Sequence, residues 1–170
     1  MPPSILLTQC LQHDFIRPMG RHDPLPNRLH VGYEEARRLL GLKPAEGPVA
    51  QVMRWAYRQP DERLKVVHIR DWHDPADASQ SAHLGRFGAH CVRGSAGAEF
   101  VFEAPPSGKD VAVVDSLTLN DFVGTRLSKV LSLFDGVEAN VGIMGVWTEA
   151  KVTFLAYELA TRYPGFRIAV

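Results

Sequence analysis

The 170-residue chain carries only two cysteines, Cys10 and Cys91, far apart in sequence. Two distant thiols make no disulfide framework, so a cross-linked secreted scaffold is excluded and a reducing, cytoplasmic setting is expected. The chain also lacks an excess of charge, since 19 basic residues balance 19 acidic ones. It therefore has no general electrostatic grip on nucleic acid or on an anionic membrane surface. No apolar run approaches the roughly 20 residues that span a bilayer. The opening MPPSILLTQC has no basic stretch followed by a small-residue cleavage site, so no secretory signal is expected there. Internal repeats and low-complexity tracts are missing too. What remains is ordinary: 45% hydrophobic and 22% charged residues, enough for one buried core, and residues 1–170 read as a single domain.

Five short apolar, β-branched-rich runs stand out: SILLTQCL (4–11), LKVVHIRD (64–71), VAVVDS (111–116), ANVGIMGV (139–146) and FRIAV (166–170). Nearly continuous apolar runs of this length predict strands covered on both faces. Between them, helical spacing appears in GYEEARRLLG, PVAQVMRWAYRQ, VGTRLSKVLSLFDG and TEAKVTFLAYELATRY, with Gly41 and Gly136 at expected C-caps. The alternation predicts right-handed βαβ units, hence an α/β, three-layer α-β-α fold on a mostly parallel, doubly wound sheet. Ligand sites of such sheets lie beyond the strand C-termini. Two long connections, HDFIRPMGRHDPLPNRLHVG and DWHDPADASQSAHLGRFGAHCVRGSAGAEF, leave from that edge, and loops so long usually carry function. FRIAV ends the chain with nothing to cover it. We therefore expect a C-terminally truncated fold, the N-terminal part of a longer polypeptide.

The second connection is richest in chemistry. Asp71 and His73 sit one residue apart at a strand end, and His90 follows in the same loop. One carboxylate and two imidazoles make a first shell for a divalent metal such as zinc, iron or manganese, with Asp77 and His83 as further donors in reach. Elsewhere, Cys10 ends the first run, Asp115 ends the third, and Lys151 opens the helix after the fourth. If these strands are neighbours, Cys10, Asp115 and Lys151 converge on one pocket. A lysine in a first helical turn is unexpected, because it faces the positive end of the helix dipole.

Together these stretches resemble the isochorismatase-like, or cysteine hydrolase, superfamily that includes the nicotinamidases. ILLTQCLQHDF resembles the family's opening strand, which runs into Asp-x-Gln-Asn-Asp-Phe; Gln12, Asp14 and Phe15 match and His13 replaces the Asn. The loop RDWHDPAD…HCVRGSAGAEF resembles the nicotinamidase pattern of Asp-x-His followed by His-Cys-Val-x-Gly-Thr-x-Gly-Ala-Glu. DFVGTRLSKVL resembles the Phe-x-Gly-Thr-x-Leu segment, and GVWTEAKVTFLAYELA the strand and helix that carry the nucleophile. The resemblance runs from residue 4 to 170.

The resemblance implies an Asp, a Lys and a Cys working on a carbonyl-type carbon, with the helix N-terminus favouring the thiolate. All three identities differ here: the Asp position is Cys10, the Lys position falls at Asp115 or Ser116, and the Cys position is Lys151. It also implies Asp71, His73 and His90 as metal ligands. The family's fourth ligand, a histidine, aligns near Ala78, so His83 or water would complete the shell. Aromatic residues of the matched stretches, Phe15, Trp72 and Trp147, are the binding candidates. The expected function is a catalytically degenerate domain, a pseudoenzyme, that binds a small molecule or a protein partner. As in its relatives, a homo-oligomer is expected, or a module of a larger protein. Two enzymatic alternatives stand beside it: a rearranged hydrolase of C–N or ether bonds with Cys10 as nucleophile, Lys151 as base and Asp115 orienting it, or hydrolysis by metal-bound water.

Overall fold

Each apolar run forms a strand in the computed structural model, which describes residues 2–170. In chain order the elements are β1 (Ser4–Gln9), α1 (His13–Ile16), α2 (Tyr33–Leu40), α3 (Pro48–Arg58), β2 (Leu64–Asp71), α4 (Ser81–Phe87), β3 (Val111–Ser116), α5 (Leu127–Leu131), β4 (Ala139–Gly145), α6 (Thr153–Arg162) and β5 (Phe166–Ala169). The strands form one sheet in the order β3-β2-β1-β4-β5. Pairs β1–β2, β1–β4 and β4–β5 are parallel and in unbroken register. The chain winds outward from β1 to β3, then returns to the other side of β1 for β4 and β5. The topological switch point thus falls between β1 and β4, as the doubly wound reading requires. Among the described residues no helix is long and apolar enough to cross a membrane.

The described chain falls into two compact units. One comprises the chain up to Cys10 with 56–70 and 105–170; the other comprises 11–55 and 71–104. The first unit holds the sheet. Its core packs Ile5 and Leu7 of β1, Val67 and Ile69 of β2, and Val141 and Ile143 of β4 against Leu127 and Leu131 of α5 and Leu155 and Leu159 of α6. Fully burying each such side chain contributes roughly 1.5–3 kcal/mol. Between β1 and β4 the backbones come so close that a Cβ on Gly145 would lie 2.4 Å from the Gln9 carbonyl oxygen. Only glycine fits there.

The second unit is built from the two long connections with α1, α2, α4 and most of α3. It has little regular structure, so side chains do the joining. Gln12, fully buried, brackets Asp71: its Nε2 donates to the Asp71 carbonyl (2.7 Å) and the Ala98 carbonyl (2.8 Å), and its Oε1 accepts the Asp71 N–H (2.8 Å). Asp14 accepts the Cys91 N–H at 2.6 Å. A Cβ on Gly97 would strike the Asp14 carboxylate at 2.3 Å, so the glycine lets this carboxylate reach Cys91.

Some elements are shorter than the sequence predicts. β1 ends at Gln9 because Cys10 turns into the left-handed region with φ 52°, which cannot extend a strand. The helical pattern of 123–136 yields only α5 and a 3-10 turn, Ser132–Phe134, before Gly136 at φ 71°. The expected start of the last helix is a wide π turn, Thr148–Val152, that runs into α6. Trp147, rather than Thr148, precedes that turn, and no side chain caps it.

Candidate functional site

In the second unit, parallel pairing of 72–74 with 91–93 sets the metal-loop geometry. The His73 N–H donates to the Cys91 carbonyl (3.0 Å) and the Arg93 N–H to the His73 carbonyl (2.8 Å). That pairing lays His90 beside His73, with ring centroids 4.5 Å apart, and α4 stacks His83 on His73 at 4.9 Å. The ligand atoms of His73, His83 and His90 lie within 4.8 Å of one another. Asp71 closes the group: its Oδ2 is 3.6 Å from His73 Nε2 and 3.4 Å from His90 Nε2. Phe15 seals one edge, its ring 5.7 Å from that of His90.

Hydrogen-bond partners on the far side of each ring decide what these atoms are. His90 Nδ1 faces the Gly88 carbonyl oxygen at 2.8 Å, and a carbonyl only accepts, so Nδ1 carries a proton and, in the neutral ring, Nε2 holds the lone pair. His73 Nδ1 faces Gln80 Oε1 at 3.0 Å and is likewise the donor. Both Nε2 atoms are buried and make no hydrogen bond. With both rings neutral, two lone pairs and a carboxylate oxygen point at one another, an arrangement that a cation among them relieves. The residues present therefore fit a divalent metal held by Asp71, His73, His83 and His90, a nitrogen-and-oxygen set that suits zinc, iron or manganese. Asp77 is not part of it. It is half-buried and its carboxylate is spent on Gln80 and Ser79, whose hydrogen bonds hold its carboxyl below the usual aspartate value.

A second polar cluster lies in the first unit, where β1, β3 and the turn after β4 end. Lys151 is only 5% exposed, and Asp121 1%. The Lys151 Nζ lies 3.1 Å from Asp121 Oδ1 and donates to Ser116 Oγ at 3.1 Å. Ser116 spends its own proton on the Thr118 carbonyl (3.2 Å), so its lone pairs are what Lys151 meets. The residue that meets Lys151 on β3 is therefore Ser116 and not Asp115. Alternation explains the correction: Val114 and Ser116 turn inward, whereas Asp115 turns outward and binds Arg70 at 2.7 Å. Cys10 is buried at the end of β1, its Sγ accepting from Gln9 Nε2 at 3.1 Å, and Gln9 Oε1 has no hydrogen-bond partner. Trp72 and Trp147 are both half-buried.

The sequence reading overlooked three residues. Asp121 stood within the matched stretch DFVGTRL, and a lone acid there is the one hint that a buried lysine has a counter-charge. Gln80 and Gln9 carry no signal in residue type or spacing; their roles exist only once the turns that place them are known.

Comparison with known proteins adds a family. The isochorismatase domain model matches residues 11–170. None of the curated proteins matches the chain in sequence. Among solved structures, the zinc complex of a pyrazinamidase from Pyrococcus horikoshii is 27% identical, with a TM-score of 0.66 over 97% of this chain and 81% of that one. The N-carbamoylsarcosine amidase of Thermoplasma acidophilum is 24% identical, with a TM-score of 0.66 over 99% and 80%. A nicotinamidase/pyrazinamidase of Bacillus subtilis is 21% identical, with a TM-score of 0.70 over 98% and 82%.

Proposed function

This chain belongs to the isochorismatase family, and on that premise we propose that it has given up thiol hydrolysis while keeping a metal centre that binds a small molecule. One observation carries the reading. At the position of the family's nucleophilic cysteine stands Lys151, buried and committed to an ion pair with Asp121 and a hydrogen bond to Ser116. An amine so engaged cannot act as a thiolate, and it cannot take a proton from a neighbour without dissolving a buried ion pair. By the family resemblance the other two positions fall at Cys10, which supplies no carboxylate, and at Asp115 or Ser116, which supplies no ammonium.

The metal cluster, in contrast, keeps its donors. A metal held there acts as a Lewis acid toward a ligand atom that reaches it. His73, His83 and His90, with Asp71 beside them, would hold it, Phe15 packs on the His90 edge, and Gln12 and Asp14 fix the two backbone segments that carry the ligands. The zinc-bearing pyrazinamidase supports this assignment.

The test is an ammonia-release assay on nicotinamide, pyrazinamide and N-carbamoylsarcosine, after zinc, manganese or iron(II) is supplied. No ammonia above the blank is expected. Ammonia release that disappears in Lys151→Ala or Cys10→Ala would overturn the reading. Elemental analysis after metal exposure and gel filtration is expected to return about one metal per chain.

One observation favours a second reading, a hydrolase with Cys10 as nucleophile. Cys10 is held at φ 52° with an amide donor 3.1 Å from its sulfur, and strained backbone at such a residue is a mark of functional sites. If so, iodoacetamide alkylates Cys10 faster than a model thiol and abolishes turnover.

A further inference from the structure

Gln80 stands apart from the other residues of the metal loop because it offers no ligand atom itself yet hydrogen-bonds His73 of the cluster together with Asp74 and Asp77. It is buried, closing the turn Ala78–Gln80 that leads directly into α4. Its amide orientation is settled from both ends. The Asp74 N–H, which can only donate, faces Oε1 at 3.2 Å, and the Asp77 carboxylate, which can only accept, faces Nε2 at 2.9 Å. The atom that meets His73 Nδ1 at 3.0 Å is therefore the oxygen, and the proton of His73 must sit on Nδ1. An isolated neutral imidazole has no such constraint, since either nitrogen can carry the proton.

We infer that Gln80 is the positioning residue of this cluster. Its carboxamide locks His73 in the Nδ1–H tautomer, so that Nε2 enters the cluster as a lone-pair donor and not as an N–H. This deepens the metal reading above and rests on it only for its consequence. The same residue also joins His73 to the start of α4, which carries His83 in a stack on His73. One amide thereby holds two of the three imidazoles in place. Asp77, although no ligand, acts one step further out by keeping the Gln80 amide from flipping. Outer partners of this kind commonly change metal affinity by about 10- to 100-fold.

Three forms of the full chain test this: wild type, Gln80→Leu, and Gln80→Glu combined with Asp77→Asn. The last restores an acceptor toward His73 and Asp74 and a donor–acceptor pair between positions 77 and 80. Long-range 1H–15N correlation on the histidine-labelled, metal-free protein reads the tautomer. Competition against a chromogenic chelator reads zinc and manganese affinity. The expected result is an Nδ1–H His73 in wild type, an Nε2–H or mixed His73 in Gln80→Leu with affinity lower by about 10- to 100-fold, and recovery of both in the double variant. An Nε2–H tautomer in wild type overturns the inference without any variant. So does a Gln80→Leu protein with unchanged tautomer and affinity. If Gln80→Leu loses its fold, the wild-type tautomer and the double variant decide. A wild type that takes up no metal while its His73 tautomer shifts in Gln80→Leu supports the positioning role and removes the metal reading instead.

Discussion

The two polar clusters of this protein face opposite electrostatic problems. In the first unit, Lys151 is ion-paired with Asp121 and donates a hydrogen bond to Ser116, so the two buried charges offset each other. In the second, His73 and His90 turn lone pairs toward the Asp71 carboxylate, and their Nε2 atoms find no donor. The first arrangement is a closed account of charge. The second gathers donor atoms that suit a cation. Identity of residue types does not separate them, since both contain a carboxylate and basic groups. What separates them is which atoms point at which.

The sharpest way to break this contrast is to unbalance the first cluster. Removing one partner of a buried ion pair leaves an uncompensated charge, so Lys151→Met or Asp121→Leu alone is expected to cost about 3–5 kcal/mol in urea unfolding. The pair of changes together should restore most of it. Additive losses would show that the two side chains do not compensate each other. Next comes the second cluster, where a ligand should help. With free zinc or manganese at about 100 times its dissociation constant, linkage predicts a gain of about 2.7 kcal/mol. That gain should vanish in His73→Ala and His90→Ala and persist in Lys151→Met/Asp121→Leu.

Two glycines sharpen the division. Gly145→Ala drives a Cβ into the Gln9 backbone and is expected to destabilise by about 1–3 kcal/mol, with metal affinity unchanged. Gly97→Ala pushes Asp14 away from the Cys91 N–H, next to His90, and is expected to lower metal affinity. Equal effects of both on affinity would erase the distinction. The smallest effect is a pH dependence in the first unit. His68 is buried between Thr8 Oγ1 (2.7 Å) and the Tyr57 hydroxyl (2.9 Å), and burial pushes its pKa from 6.5 down to about 4. The unfolded chain then binds a proton that the folded chain refuses, so stability falls as pH drops from about 6.5 toward 4. The slope is at most about 1.4 kcal/mol per pH unit. Comparing wild type with His68→Phe at pH 7, 6 and 5 isolates it, and parallel curves would exclude His68 as the source.

Much of the fold was legible along the chain because parallel strands buried on both faces leave long apolar runs, and the five runs became the five strands. The strand ends were less legible. Nothing in SILLTQCL announces that Cys10 leaves the strand in a left-handed conformation, and only the backbone crossing near Gly145 makes its glycine necessary. Asp71, His73 and His90 were legible as candidate ligands because metal ligands must be of few residue types, and the fold brings these three together. The side chain facing Lys151 was expected to be Asp115 and is Ser116, a difference of one residue that reverses face on a strand.

By itself the sequence determined the α/β class and the family pattern, and it set the expectation of an exchanged triad and of a metal held by Asp71, His73 and His90. The class follows from hydrophobic patterning and the rest from the family resemblance of short motifs, both of which are legible without coordinates. The tertiary structure alone decided that Asp121 answers Lys151, that His83 comes from α4 to join His73 and His90, and that Gln80 orients an imidazole. Each of these depends on partners distant in sequence, or on which atom of a side chain faces inward, and side-chain chemistry alone does not encode direction.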